Sequence, residues 1–385
     1  MSDPVTASLS ALRSELSALG PELSALPSPA LLVYPDRIEE NLRRMIARVG
    51  HPSRLRPHLK THKLPQVIAL QVALGLTKAK CATIAEAEMA ARAGATDILI
   101  AAQLVGPNVP RLLALQRAFP AVAFSTICDD PGALAALAAA AQSARTTIEV
   151  LLDLDVGMAR TGIVPGPAAA ALYRTLATTP GLRAGGLHAY DGHLRQPVLA
   201  DRIAAAAAGI AQVEALRADL LAQHLPVPRL VFGGTPTFPV HAPRTAHDAT
   251  LECSPGTCVL WDAGYTAGLP DLDFLPAAVL LTRVISRPGA NRLCLDLGHK
   301  SVASEMPHPR ALFPALPDAR AVTHSEEHLV IETARAADFP VGTALAALPW
   351  HICPTVALHD RVHVVRAGRI SEEWTVTARA RRLTL

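Results

Sequence analysis

From about residue 30 to about residue 235, short apolar, β-branched runs alternate with longer stretches of helical spacing. The runs are ALLVY (30–34), RLRPHLK (54–60), AKCATI (79–84), DILIAA (97–102), VAFSTIC (122–128), TIEVLLDLD (147–155), AGGLHAY (184–190) and RLVFGG (229–234). Each is short and apolar enough for a buried strand. Between them, segments such as DRIEENLRRMIARVG, with Asp36 placed to cap it, and AEAEMAARAG, closed by a glycine, put apolar residues at helical spacing. Strands separated by helices, without tight hairpin signals, predict a (β/α)8 TIM-like barrel rather than a doubly wound sheet.

Past residue 250 the texture changes. TCVLWD, AAVLLTRVISR, NRLCLDLG, HLVIETA, ALPWHIC, RVHVVRAGRI and EEWTVTARARRL read as short strands with glycine or proline turns. The expected organisation is an N-terminal extension (1–27), a barrel (28–250) and a mostly antiparallel C-terminal β domain (251–385).

Composition narrows the function classes. A chain of 385 residues that is 50% hydrophobic can bury a large core, and a net charge of +3 is too small to imply a polyanionic partner. The densest basic run, Arg379 to Arg382, lacks interleaved aromatics, so no nucleic acid is expected. Six cysteines without a CxxC pair suit a reducing compartment. The first residues lack the pattern of a signal peptide and no later run is long enough to cross a bilayer, so a cytoplasmic protein with no membrane partner is expected.

One stretch stands out chemically. RPHLKTHKL (56–64) holds two of the five lysines in a chain with 31 arginines. Lysine can be tuned to a nucleophilic amine, whereas arginine cannot. Lys60 ends the second expected strand, where barrel active sites lie, and in an extended segment it would share a face with His58 and His62. Other strand ends add Arg160 in DLDVGMARTG and the cluster His188, Tyr190, Asp191 and His193 in HAYDGH. Gly233, Gly234 and Thr235 in FGGTPT, with Ser254 and Gly256 in SPGT, form turns whose backbone N–H groups could cradle a phosphate. A lysine facing a phosphate pocket suggests pyridoxal 5'-phosphate.

SPALLVYPDRIEENL, RPHLKTHK, KCATIAEAE, DVGMARTGI, FGGTPT and SPGT together resemble the D-threonine aldolase and D-serine dehydratase family of alanine-racemase-like enzymes, over essentially the whole chain beyond residue 28. The resemblance implies that Lys60 carries pyridoxal 5'-phosphate as a Schiff base, with Arg160 and Tyr190 near its ring and the Gly233, Gly234, Thr235 turn at its phosphate. It also implies a homodimer.

In PWHICPTVALHD, His351 and Cys353 stand two apart, so on a strand both would leave one face about 7 Å apart. Alone, such a pair is a weak metal signal. Family members bind a divalent cation here through His and its i+2 partner, and a cysteine partner favours zinc, with manganese or magnesium as alternatives.

The resemblance thus implies a lyase for small D-3-hydroxy amino acids. In an aldolase, His193 or metal-bound hydroxide would take the hydroxyl proton and the Cα–Cβ bond would break. In a D-serine dehydratase using zinc, Lys60 would take the α-proton and the hydroxyl would leave as water. Cys353 points to the dehydratase, while CPTVALHD and YDGH look more like the aldolases, which we favour. A racemase would need a second base and no metal, and a non-catalytic carrier of the cofactor would need only the barrel.

Overall fold

The computed structural model describes residues 19–385, so the expected extension over 1–27 falls outside the described residues as far as residue 18. Two compact units follow. One, the barrel unit, comprises Arg43–Lys60, Ile68–Gly256 and Ala380–Leu385; the other, the β-rich unit, comprises the described residues up to Leu42 together with Thr61–Val67 and Thr257–Arg379.

The first apolar run forms β1 (Ala30–Val33), which belongs to the β-rich unit and not to the barrel. The parallel sheet of the barrel unit contains β2 (Lys78–Cys81), β3 (Asp97–Gln103), β4 (Ala123–Cys128) and β5 (Ile148–Leu154), followed by β6 (Leu182–Ala189), β7 (Leu230–Phe232) and β8 (Leu251–Cys253), in that order across the sheet. Residues 55–58 close it. Leu55 makes a parallel bridge to Cys253 on β8 and His58 one to Lys80 on β2, and the Arg56 N–H donates to Cys253 O at 2.9 Å while the Lys80 N–H donates to Pro57 O at 2.9 Å.

The stave count is therefore eight, but its membership differs from the expected one. RLRPHLK contributes bridges rather than a regular strand, because a 3-10 turn, Leu59–Thr61, begins directly after them. LEC at 251–253 takes the place expected for ALLVY, which looks equally buried because β9 (Ala278–Gly289) and β15 (Arg361–Arg366) flank it on both sides. Parallel strands covered on both faces read as continuous apolar runs, as IEVLLDL of β5 does. Inside the barrel, Leu99, Ile127, Leu151 and Val231 pack together. Each such side chain contributes about 1.5–3 kcal/mol on burial.

Two of the helices between the strands start on side-chain caps. Thr83 accepts from the Glu86 N–H before Ile84–Arg92, and Asp130 from the Ala133 N–H before Pro131–Ser143. Asp36, by contrast, lies inside the first turn of Pro35–Val49 rather than capping it.

The β-rich unit holds β1, β9, β10 (Arg292–Leu295), β11 (Ala311–Leu312), β12 (Arg320–His324), β13 (Leu329–Glu332), β14 (Ala344–Pro349), β15 and β16 (Arg369–Thr375). The order β12-β13-β10-β9-β1-β15-β16 is antiparallel except for the pair β1 and β15; β14 pairs with both β9 and β11. Ala30, Leu32, Val279, Leu281, Leu348 and Val365 form its core. TCVLWD is not a strand: Thr257–Val259 is a 3-10 turn. Nor do helices disappear after residue 250, since Ala263–Gly268 and Ile352–Leu358 are helical.

Arg56 anchors the closing stave. Its guanidinium, fully buried, donates to Glu252 at 2.6 Å and to both carboxylate oxygens of Asp97 at 2.9 and 2.8 Å. Burial alone would raise both carboxyls, but Arg56, with Arg229 near Asp97 and Lys78 near Glu252, holds them below the usual range. Removing one member of such a network strands buried charge. Arg56→Met is expected to cost about 3–5 kcal/mol in chemical denaturation at pH 7. Carboxyls with depressed pKa values stabilise the fold above the unfolded-state range and lose that contribution as pH falls, so the gap between wild type and variant should narrow below about pH 4. A gap that is unchanged there would contradict the assignment.

Candidate active site

Lys60 follows the closing stave directly. It sits half-buried in the turn Leu59–Thr61, with its N–H on His58 Nδ1 at 3.3 Å. Because this turn interrupts the extended backbone, the alternation that would have put His58, Lys60 and His62 on one face does not hold. His62 is fully buried and accepts from the Leu64 N–H, and burial pushes its ring down to about 3.

Three cations surround one ring. Lys60 Nζ lies 5.5 Å, Lys80 Nζ 5.7 Å and the Arg160 guanidinium 4.7 Å from the ring centroid of Tyr190, the residue following β6. Arg160 is exposed in the loop after β5, whereas Lys80 on β2 is only 2% exposed. Burial first, then the charge of Lys60, lowers the Lys80 amine to about 7 against the attraction of Asp153 and Asp191. A side chain with this profile sits between charge states near neutrality.

Two buried carboxylates complete the floor of the site. Asp153 on β5 and His188 on β6 are register partners, with Asp153 Oδ1 2.6 Å from His188 Nδ1. Burial pushes His188 down despite this partner, while His188 holds the Asp153 carboxyl below its ordinary value against burial. The other ring nitrogen, His188 Nε2, is buried without a hydrogen-bond partner among the described residues. Asp191 accepts from Thr237 Oγ1 at 2.5 Å and pairs with His241 Nε2 at 2.7 Å.

The turn after β7 approaches the same ring. Gly233 has φ +80°, and a Cβ there would stand 2.6 Å from His241 Cδ2; a Cβ on Gly234 would stand 2.7 Å from Tyr190 Cε2. Only glycine leaves this cradle open. Thr235 Oγ1 accepts from the Gly256 N–H at 3.2 Å, and Ser254 Oγ donates to Arg56 O at 2.8 Å, tying the SPGT turn to both neighbouring staves. Lys60, Arg160, Tyr190, Gly233, Gly234, Thr235, Ser254 and Gly256 all lie in the barrel unit. His193 is exposed, its Nε2 3.3 Å from where a Cβ of Gly157 would project, in the loop that also carries Arg160.

Lys80 escaped the reading of the sequence, although the scarcity of lysine and its place in the apolar AKCATI run marked it. An anionic, flat, phosphate-bearing aldehyde fits this set. It would meet two amines and a guanidinium, a glycine cradle and an unpartnered imidazole nitrogen.

The β-rich unit carries the second predicted pair. His351 does not continue a strand: it is the N-cap of the helix Ile352–Leu358, with Cys353 in the first turn. Pro354 lacks an N–H for a ladder, and the Ile352 N–H donates to Asp262 Oδ2 at 3.0 Å, which starts the helix instead. The two side chains still meet. Burial would lower His351 and raise Cys353, but their mutual hydrogen bond reverses both, raising the imidazole to about 9 and lowering the thiol.

Thr61 and Thr257 hydroxyls stand 3.2 and 3.4 Å from Cys353 Sγ, and Glu305 binds His351 Nδ1. A carboxylate on Nδ1 orients the ring so that Nε2 is the nitrogen left for a metal. Among the described residues no group of three or more His, Cys, Asp or Glu converges on a metal position, so the donor set is a soft thiolate plus one imidazole. It fits a divalent ion that keeps positions open for water and substrate.

Known proteins resemble this chain over most of its length. Residues 33–261 match the family of the alanine racemase N-terminal domain, and residues 277–365 that described as a putative serine dehydratase domain. A D-threonine aldolase from Arthrobacter sp is 32% identical, covering 91% of this chain and 92% of that protein. A 3-hydroxy-D-aspartate aldolase from Paracoccus denitrificans (strain Pd 1222) is 30% identical, covering 92% and 93%. The crystal structure of D-threonine aldolase from Filomicrobium marinum superposes with a TM-score of 0.81 at 31% identity, covering 92% and 96%. The chain therefore belongs to the D-threonine aldolase and D-serine dehydratase family of alanine-racemase-like, pyridoxal-phosphate-dependent lyases.

Proposed function

We propose that this lyase requires a divalent metal and cleaves D-3-hydroxy amino acids by the D-threonine aldolase reaction, giving glycine and an aldehyde. The observation that carries the reading is the gathering of Lys60, Lys80 and Arg160 around Tyr190 beside the Gly233, Gly234 cradle. In this proposal the enzyme is a cytoplasmic homodimer; no helix of the described residues is long and apolar enough to cross a membrane.

Lys60 Nζ would hold pyridoxal 5'-phosphate covalently and yield its place to the substrate amine. The cofactor, when bound, supplies an electron sink for the carbanion formed at Cα. Arg160 and Tyr190 would flank its ring, and the N–H groups of Gly233, Gly234 and Thr235, with those of the SPGT turn, would hold its phosphate. His351 and Cys353 would hold the metal, zinc by preference for thiolate, and it would supply Lewis acidity. His193 Nε2 would take the proton of the substrate's β-hydroxyl. Lys80, a charge neighbour of Lys60, keeps an amine with a lowered pKa at the site. The dehydratase remains the second reading, favoured by the thiolate of Cys353 and by the serine dehydratase match over residues 277–365. There Lys60 Nζ would remove the α-proton.

Purified protein should show the visible band of a bound aldehyde cofactor, and Lys60→Ala should lose turnover; a colourless wild type that binds no pyridoxal 5'-phosphate contradicts the proposal. His193→Gln should lower kcat about 10²–10⁴-fold. With D-threonine, acetaldehyde and glycine are expected, whereas ammonia and a 2-oxo acid would assign the dehydratase reaction. Chelation should abolish turnover and zinc or manganese restore it, and activity that survives chelation would remove His351 and Cys353 from the chemistry.

Burial of Lys80 has a measurable cost. Its folded pKa is depressed, so between about pH 7 and about pH 10 the unfolded chain binds the proton that the folded one releases, and stability rises with pH. Lys80→Met should therefore raise the Tm of the cofactor-free protein by several degrees at pH 7, with the gain shrinking toward pH 10. A lower Tm at pH 7 would show that Lys80 is paired rather than strained.

A further inference from the structure

Lys80 has no task in the chemistry above. It stands on β2, paired in register with Leu99 of β3 on one side and bridged to His58 of the closing stave on the other. The residue is 2% exposed, and its Nζ lies 5.7 Å from the ring centroid of Tyr190. Among the described residues Asp153 and Asp191 attract it through charge alone, with no hydrogen bond or ion pair to either. Their oxygens meet other donors: Asp153 Oδ1 stands 2.6 Å from His188 Nδ1, and Asp191 takes Thr237 Oγ1 at 2.5 Å and His241 Nε2 at 2.7 Å. A buried amine without a hydrogen-bonded partner is costly to keep charged.

The groups facing Lys80 come from several elements. Lys60, on the turn after the closing stave, and Arg160, in the loop after β5, repel its charge, while Asp153 on β5 and Asp191 after β6 attract it. His188 on β6 is neutral at pH 7, because burial lowers its ring. Burial outweighs the two carboxylates and leaves the Lys80 amine at about 7.

Tyr190 joins this amine to the glycine cradle. The same ring that Lys80 faces lies 2.7 Å, at Cε2, from where a Cβ of Gly234 would stand. A phosphate-bearing ligand seated beside that ring would favour the charged amine, so its binding and the protonation of Lys80 would reinforce each other.

We propose that Lys80 is a cofactor-binding residue, whose amine takes up a proton from solvent as the phosphate-bearing cofactor enters and then serves as its buried charge partner. The inference rests on the reading of this site as one for pyridoxal 5'-phosphate, and Lys60 keeps the covalent bond. Above about pH 7 the amine of the free site is mostly neutral, so binding draws in a proton and affinity falls as pH rises. Below about pH 7 the proton is already in place and the uptake disappears.

The test is calorimetric titration of the cofactor-free protein with 4'-deoxypyridoxine 5'-phosphate, which has a methyl group in place of the aldehyde and forms no bond to Lys60. Repeating it at about pH 8 in buffers of different ionisation enthalpy counts the protons exchanged. Wild type should take up roughly one proton more than Lys80→Met or Lys80→Arg. At pH 7 Lys80→Met should bind the probe about 10–100-fold more weakly, the scale of a lost hydrogen bond to a charged group. Lys80→Arg, charged at every working pH, should keep most of the affinity and lose its dependence on pH between about 7 and 9. Proton uptake that neither variant changes, or equal affinity in wild type and Lys80→Met, overturns the role of Lys80 and leaves the cofactor site standing. A wild type that does not bind the probe overturns both.

Discussion

The site depends on how a seven-stranded parallel sheet closes. Its two edges, β2 and β8, are joined by residues 55–58, which contribute isolated bridges rather than a full strand. Such a short stave has little ladder of its own, and the fully buried Arg56 fastens it to Glu252 on β8 and Asp97 on β3. Two residues later His58 donates its N–H to Pro255 O, and the chain then turns. Lys60 is delivered by that turn. The charge network and the placement of Lys60 are thus successive consequences of one short segment.

The barrel unit uses charge in two opposite ways. Around Arg56 every charge has a partner, and the carboxylates are held ionised. Around Tyr190 three cations, Lys60, Lys80 and Arg160, outnumber the two carboxylates of Asp153 and Asp191. Unbalanced buried cations cost stability, and Lys80 shows that cost as a lowered pKa. An anionic cofactor removes the imbalance, which is why a fold tolerates it.

Much of this was legible in the chain. The staves from β2 to β7 read as apolar runs because helices and neighbouring strands cover both their faces. RLRPHLK was read as a stave and its residues do close the barrel, but β8 was missed, since the short LEC places Glu252 inside, where a pattern of apolar residues gives no sign of it. ALLVY misled for the reverse reason: β9 and β15 bury it as completely as a barrel would. Lys60 was singled out by the rarity of its residue type, and the same argument extended to Lys80 would have singled out the second amine beside Tyr190. His351 and Cys353 meet at a helix start rather than on the strand expected of them, because spacing two brings side chains together there as well.

We propose that Lys60, and not the similarly near Lys80, bonds the cofactor. Lys60 lies on a turn and is half-exposed, free to exchange with a substrate amine, while Lys80 is enclosed on a strand. Borohydride reduction of the protein loaded with pyridoxal 5'-phosphate, followed by peptide mapping, decides between them. The account predicts a pyridoxyl group on Lys60 in the peptide containing RPHLKTHKL; label on Lys80 alone, or none on either lysine, would contradict it.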